Sequence, residues 1–156
     1  MNKSKVKGTR LETAFSTWWS QNVGPCGRLA LHGRDDNGDV GGLEVRGLTG
    51  VVECKNYKFT QKKKENRRPT PKQLEKWLDE TEKERINSCS DFALLVIHKS
   101  GCTDRAVGTF VAESFKDNWC WLSVRSYRLL SGSDPMRIDD GSWIQMTVGE
   151  VADMCK

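Results

Sequence analysis

The sequence predicts a single α/β domain in which a mixed β-sheet is flanked by helices, and three observations carry this prediction. The chain has 156 residues, about the length of one domain. Its predicted elements run in the order helix, three strands, helix, strand and then further strands, an order that places helices against a sheet. Residues 91–98 (DFALLVIH) are apolar at nearly every position, as in a central strand covered on both faces.

Periodicity and turn residues predict the individual elements. In chain order they are a helix over roughly 8–22, a short strand at 29–32, a hairpin-like segment at 34–47, a strand at 49–57, an exposed basic loop at 58–72, a helix from about 70 to 87, strands at 91–98, 108–111, 120–129 and 143–148, and a short final helix. The residues predicted to trace the buried face of the second long helix are Leu74, Trp77, Leu78, Thr81 and Ile86.

Composition excludes several classes of protein. Apolar residues make up 37% and charged residues 29% of the chain, and the mean hydropathy is -0.63, values too apolar for a disordered protein. The longest apolar run, 92–97, is far shorter than the roughly 20 residues of a membrane helix. The basic first residues lack an apolar stretch, so we expect a cytoplasmic protein with no membrane association. Six scattered cysteines without a CxxC pair are expected to be thiols.

Positive charge is concentrated in two segments. The net charge of the chain is +4, yet residues 1–10 contribute +4 and residues 53–72 contribute +6, which leaves −6 for the rest. Such asymmetry is typical of proteins that bind a polyanion. The cations predicted to contact such a polyanion are Lys5, Lys7, Arg10, Lys58, Lys62, Lys63, Lys64, Arg67, Arg68 and Lys72. The plainer interpretation of the basic loop is a solvated surface segment.

The predicted strand at 49–57 carries the residues that point to chemistry. Its period of two places Glu53 and Lys55 on one face, and Val52 and Cys54 on the other. Asp39 follows a turn in the preceding segment, so three charged groups can converge. Magnesium prefers one or two carboxylates together with water and substrate oxygens, which Asp39 and Glu53 can offer.

Two further groups complete this candidate site. The backbone carbonyl of Cys54 could supply another oxygen to the cation. The ammonium of Lys55 could stabilise hydroxide and the negative charge that develops on a phosphate. The chemistry predicted is phosphodiester hydrolysis assisted by Mg²⁺, with Mn²⁺ as a substitute.

This pattern resembles the PD-(D/E)xK nuclease superfamily and, within it, the RecB-like Holliday junction resolvases of archaeal and phage type. Members are similar to this chain in having an Asp after a hairpin, here Asp39 in NGDVGG, and an ExK strand. They also have a Glu on the helix before the sheet, here Glu12 in GTRLETAF, and a helix that begins with Gln, here Gln73 in QLEKW. The chain departs from the pattern at Gly38, where the superfamily has proline, and at Trp77, where it has tyrosine.

The resemblance implies a fold, an activity and a set of site residues. The fold would be a restriction-endonuclease-like core over about residues 7–98 of one nuclease domain that spans 1–156. The activity would be Mg²⁺-dependent, structure-selective cleavage of branched DNA such as four-way junctions, in the host cytoplasm if the protein is phage-encoded. Glu12 and Gln73 join the catalytic residues, and Glu12 is a candidate further metal ligand.

Resolving a junction needs two symmetric cuts, and the chain contains one predicted site, so a homodimer is expected. The candidate interface lies within about 104–156, where apolar residues exceed what one small sheet obviously needs. These residues are Phe110, Val111, Trp119, Trp121, Tyr127, Trp143 and Ile144. The alternative is that they complete the core of the monomer.

Other interpretations stay open at this point. The chain could be a restriction- or repair-type nuclease of the same superfamily, or a non-catalytic DNA-binding module with a nuclease-like fold. Glu53 and Lys55 could form a surface ion pair worth well under 1 kcal/mol, and Glu12 could be a solvated helix residue. Most of the six tryptophans are predicted to be core residues rather than stacking platforms for bases.

Overall fold

The computed structural model describes residues 3–28, 40–55, 69–98, 103–104, 109–110, 115–136, 138 and 143–156. The helices in this part of the chain are α1 (Lys3–Asn22), α2 (Pro71–Asn87), α3 (Val124–Ser131) and α4 (Val148–Cys155). The strands are β1 (Gly27–Arg28), β2 (Val40–Val45), β3 (Leu48–Lys55), β4 (Phe92–Ile97), β5 (Thr103–Asp104), β6 (Thr109–Phe110), β7 (Trp119–Ser123) and β8 (Trp143–Thr147). The predicted strand at 29–32 lies outside the described residues.

A mixed sheet organises the domain. Six strands pair in the order β1-β2-β3-β4-β7-β8, while β5 and β6 form a separate two-stranded sheet. Strands β3 and β4 are parallel, and every other pair in the large sheet is antiparallel. Helix α2 makes the crossover between β3 and β4 that a parallel pair requires. The predicted α/β class with a mixed sheet flanked by helices is confirmed.

Each face of the sheet supports its own hydrophobic core. On one face, buried residues of α1, α3 and α4 pack with Val52, Cys54 and Leu94. On the other face, Leu95 and Ile97 of β4 pack against α2. Because β4 faces a core on both sides, all six of its residues are buried, as its continuous apolar sequence predicts.

Helix α2 begins as predicted and presents nearly the predicted face. Thr70 is the N-cap, its hydroxyl accepting a hydrogen bond from the amide of Gln73, and Pro71 occupies the first turn where its missing N–H costs nothing. Leu74, Trp77, Leu78 and Thr81 are buried. The prediction was wrong for Ile86, which is 59% exposed, because five residues beyond Thr81 the helix has turned by about 140° from that face.

The predicted strand at 120–129 is a strand followed by a helix. Strand β7 ends at Ser123, whose hydroxyl accepts the amide hydrogen bond of Ser126 and so caps the first turn of α3. Val124 and Leu130 then face the core. The apolar run is compatible with both structures, and the serine cap decides where one gives way to the other.

Helix α1 also differs from its predicted bounds, since it begins at Lys3 rather than near residue 8. A glycine inside a helix costs only about 1 kcal/mol relative to alanine, so Gly8 does not end the helix. Its buried residues are Leu11, Phe15, Trp18 and Trp19. Within the described residues, no helix is both long and apolar enough to cross a membrane.

Much of the apolar sequence assigned to a dimer interface belongs to the monomer's own cores. Trp121 is 2% exposed and Ile144 is 4% exposed, which supports the alternative that these residues complete the core of the monomer. Trp119, Tyr127 and Trp143 are partly buried and pack against the two cores. These side chains extend the two cores over β7 and β8. Val111 and the side chain of Phe110 lie outside the described part of the chain. The five described cysteines form no disulfide.

Candidate active site

Glu53 is a buried carboxylate on the face of β3 that α2 covers. It is 4% exposed, and in the parallel ladder it pairs with Leu95, a member of the α2-side core. Its Oε1 lies 2.8 Å from Nζ of Lys55, while its Oε2 has no hydrogen-bond partner in the described part of the chain. Burying an unsatisfied carboxylate oxygen is costly, so this atom marks a place where a cation or a donor would be stabilised.

Lys55 extends from the end of β3 on the same face as Glu53, which confirms the predicted alternation of this strand. Its side chain is 26% exposed, and its Nζ also lies 3.2 Å from Oε2 of Glu80. Burial alone lowers the pKa of Lys55, but the charges and hydrogen bonds of the two glutamates raise it by more. The pKa of Lys55 therefore lies above its ordinary value, and the side chain is a cation at neutral pH.

Glu80 is the residue of this cluster that sequence reasoning missed. It lies on α2, three residues after the buried Trp77 and one before the buried Thr81, so it sits at the border of the buried face. Its side chain is 39% exposed. Helical spacing from Trp77 places Glu80 beside the buried face of α2, since residues three apart lie on the same side of a helix, but no local signal predicts its contact with Lys55. The cluster formed by Glu53, Lys55 and Glu80 is called the acidic-lysine cluster below.

Asp39 lies outside the described residues, but the residue that follows it pairs with the strand that carries Glu53. Val40, bonded to Asp39, pairs with Val52, bonded to Glu53. The ladder between β2 and β3 shifts register between Val40 and Leu43, where Gly42 adopts a φ of 73°. Such a β-bulge re-aims the residues beside it and is frequent next to active sites.

The remaining predicted catalytic residues lie on the flanking helices. Glu12 is half-buried on α1, the helix that covers the opposite face of the sheet from Glu53. Gln73 lies in the first turn of α2, seven residues and so about 10 Å along the helix axis from Glu80. Cys54 is buried, with its side chain in the α1-side core and its backbone paired with Val96.

The predicted DNA-binding residues are described only in part. Lys5, Lys7 and Arg10 lie in the first half of α1, where the backbone alone is described. Lys72 is exposed in the first turn of α2. It belongs to a face of this helix that mixes both signs of charge, with Glu75, Lys76, Asp79, Glu80 and Lys83. Lys58, Lys62, Lys63, Lys64, Arg67 and Arg68 lie outside the described residues.

The donor chemistry fits a hard divalent cation at Glu53. Mg²⁺ prefers carboxylate oxygens, and Oε2 of Glu53 is one with no partner among the described residues. The same residues contain no group of three or more His, Cys, Asp or Glu side chains arranged to hold a metal, so a complete site needs a ligand from elsewhere, such as Asp39. Comparisons with protein-family models, curated proteins and solved structures found no match to this chain.

Proposed function

We propose that this chain is a Mg²⁺-dependent, structure-selective endodeoxyribonuclease that hydrolyses phosphodiester bonds in branched DNA such as four-way junctions. The observation that carries the proposal is the buried carboxylate of Glu53, whose Oε2 lacks a partner in the described part of the chain, beside the ammonium of Lys55. A buried pair of this kind differs from the solvated surface pair that would be worth well under 1 kcal/mol.

The order of the elements supports a likeness to the PD-(D/E)xK nucleases. Helix α1 carries Glu12, strand β2 follows Asp39, strand β3 carries Glu53 and Lys55, and α2 carries Gln73 before the parallel strand β4. We infer from this order a restriction-endonuclease-like core, of the RecB-like Holliday junction resolvase type.

The residues of the proposed site would bind the metal ion or stabilise negative charge. Glu53, Asp39 and the carbonyl of Cys54 would hold Mg²⁺ or its substitute Mn²⁺. Glu12, which the resemblance names as a candidate further ligand, would have to reach this ion from α1, on the opposite face of the sheet. The bound cation would supply Lewis-acid chemistry, polarising a phosphate oxygen and lowering the pKa of water. Lys55 would stabilise the negative charge that develops on the phosphate, and its two glutamate partners hold it in place beforehand.

The basic segment between β3 and α2 would hold the DNA backbone beside this site. The segment connects the strand that carries Glu53 to the helix that carries Glu80 in the sequence, and this connection supports a position for its cations near the acidic-lysine cluster. Lys72, exposed at the start of α2, continues this run of positive charge. Two copies of the chain would be needed to make paired cuts at a junction, which supports a homodimer.

One observation favours a second candidate function. Lys55 contacts two carboxylates at once, one on β3 and one on α2. In a non-catalytic DNA-binding module, the same ion pairs would serve only to join β3 to α2. Incubation of the full chain with a labelled four-way junction and with a linear duplex of the same sequence, each with Mg²⁺ or EDTA, separates the candidates.

The proposed resolvase cuts the junction in Mg²⁺, leaves the linear duplex largely intact and is inactive in EDTA. Equal cutting of both DNAs would favour a restriction- or repair-type nuclease. Binding of the junction without cutting, in Mg²⁺ as in EDTA, would favour the non-catalytic module and contradict the proposal.

A further inference from the structure

We propose that Glu80 is a positioning residue that holds Lys55 when Glu53 binds a divalent cation. The inference rests on the proposed function, because it concerns the same site. It adds a residue from α2 whose role is to make the carboxylate of Glu53 available to a metal ion.

The geometry places one cation between two carboxylates. Nζ of Lys55 lies 2.8 Å from Oε1 of Glu53 and 3.2 Å from Oε2 of Glu80. These two distances together limit the separation of the two carboxylate oxygens to 6.0 Å. Lys55 can therefore shift toward Glu80 without leaving the neighbourhood of Glu53.

The two glutamates differ in burial, and this difference gives them different roles. The Glu53 side chain is 5% exposed and the Glu80 side chain is 39% exposed. The second oxygen of Glu53 lacks a partner among the described residues, so Glu53 gains more from a divalent cation than a solvated carboxylate would. Glu80 is better suited to an ammonium whose remaining protons face water.

Repulsion between Lys55 and a divalent cation explains why Lys55 needs a second carboxylate partner. An ammonium and a divalent cation on the same carboxylate repel each other, so the metal and Lys55 compete for Glu53. Glu80 offers Lys55 another counter-charge at hydrogen-bond distance. Because Trp77 and Thr81 anchor α2 on either side of Glu80 in sequence, this partner is held in place by the fold rather than by a mobile loop.

Without Glu80, Lys55 would have only Glu53 as a partner within the acidic-lysine cluster. The metal would then displace Lys55 at a greater cost, and its affinity would fall. In a chain that lacks Lys55 there is no competitor, so the same change at Glu80 would leave metal affinity unaltered. This dependence on Lys55 distinguishes a positioning residue from a metal ligand.

The test is calorimetric titration of the DNA-free full chain with Mn²⁺. The variants are Glu80→Gln, Lys55→Ala, the double variant, Glu53→Gln and Glu75→Gln. The last of these removes an exposed carboxylate from the same helix as a matched control. We expect Glu80→Gln to weaken Mn²⁺ binding about tenfold, a usual size for coupling between contacting groups. Glu75→Gln should leave it nearly unchanged, and Glu80→Gln should have no effect in the Lys55→Ala background.

Three results would overturn the inference. If Glu80→Gln weakens Mn²⁺ binding equally with and without Lys55, Glu80 is itself a ligand or acts through its charge alone. If Glu80→Gln leaves affinity unchanged while Glu53→Gln abolishes it, the positioning role is wrong and the proposed nuclease stands. If the unaltered chain binds no Mn²⁺ at all, both the inference and the proposed function are wrong. Circular dichroism of each variant verifies that it is folded.

Discussion

Val40 of β2 pairs with Val52 of β3. In the sequence, Asp39 directly precedes Val40 and Glu53 directly follows Val52. The two carboxylates predicted to hold a metal are therefore each one residue away from this pair. They are separated by thirteen residues in the sequence. The bulge at Gly42 and the hairpin turn at Arg46–Gly47 lie within this interval. The hairpin therefore pairs the residues that adjoin these two carboxylates in the sequence.

Arg46 ties this hairpin to the two C-terminal helices. Its guanidinium donates hydrogen bonds to the carbonyl of Leu130 in α3 and, at 3.3 Å, to the carbonyl of Cys155 in α4. A cation is favourable near the C-terminal ends of helices. We expect Arg46→Ala to lower the free energy of unfolding by about 1–2 kcal/mol, measured by urea denaturation.

The control for Arg46 is Arg128, another arginine with an observed partner. Its ion pair with Asp134 has a distance of 2.6 Å, but both side chains are exposed. Exposed pairs are worth about 0–1 kcal/mol, so Arg128→Ala should change stability little. Equal losses for the two variants would show that Arg46 does not join the hairpin to the helices.

Gly50 allows β3 to approach the ring of Phe92 in β4. A Cβ at this position would lie 2.2 Å from two atoms of that ring, which forces the ring or the strand to move. We expect Gly50→Ala to destabilise the chain by about 1–3 kcal/mol, the usual cost of overpacking a core. The melting temperature should fall accordingly.

Gly27→Ala is the matched control, because a Cβ at Gly27 meets no atom within 4 Å. This variant should melt close to the unaltered chain. Adding Phe92→Leu to Gly50→Ala should recover part of the loss if the ring causes the clash. A Gly50→Ala variant as stable as the Gly27 control would contradict the proposed packing.

The face of the sheet that carries Glu53 and Lys55 could be predicted, whereas the contact of Glu80 with Lys55 could not. The period of two in β3 requires only local geometry, and so the positions of Glu53 and Lys55 followed from the sequence. Glu80 reaches Lys55 only because α2 packs across β3 and β4. That contact depends on the tertiary arrangement, which no local pattern contains.

Element boundaries followed the sequence where a cap or a proline marks them. Thr70 and Pro71 mark the start of α2, and the predicted helix agrees there. Ser123 is also a helix cap, yet the apolar residues around it suit a strand equally well. The cap at Ser123 places the boundary between β7 and α3, but the pairing of β7 with β8, a long-range interaction, keeps the residues before that boundary in a strand.

The basic segment between β3 and α2 should supply phosphate contacts. We expect the replacement of Lys62, Lys63, Lys64, Arg67 and Arg68 by serine to weaken junction binding and to flatten its dependence on salt. Each lost contact should reduce the slope of log K against log salt by about 0.9 on duplex DNA. Fluorescence anisotropy over a range of salt concentrations measures this slope, and an unchanged slope would show that the segment does not contact DNA.

The proposed homodimer is tested by its mass in solution. We expect sedimentation equilibrium at micromolar concentration to give about twice the 17.7 kDa of one chain, since closed two-fold dimers are the commonest oligomers. The DNA complex should contain two chains for each junction. A single chain both free and on a junction would contradict the dimer and leave the site chemistry to be tested separately.

The most direct test of the proposed activity is the single-turnover rate of junction cleavage in Mg²⁺ by Glu53→Gln. This change keeps the size of the buried side chain but removes the charge of a carboxylate whose Oε2 has no partner among the described residues. We predict a loss of about a thousandfold or more, with junction binding retained, and nearly full activity for the exposed control Glu75→Gln. Near-normal cutting by a folded Glu53→Gln variant would contradict the assignment of Glu53 as the carboxylate on which hydrolysis depends.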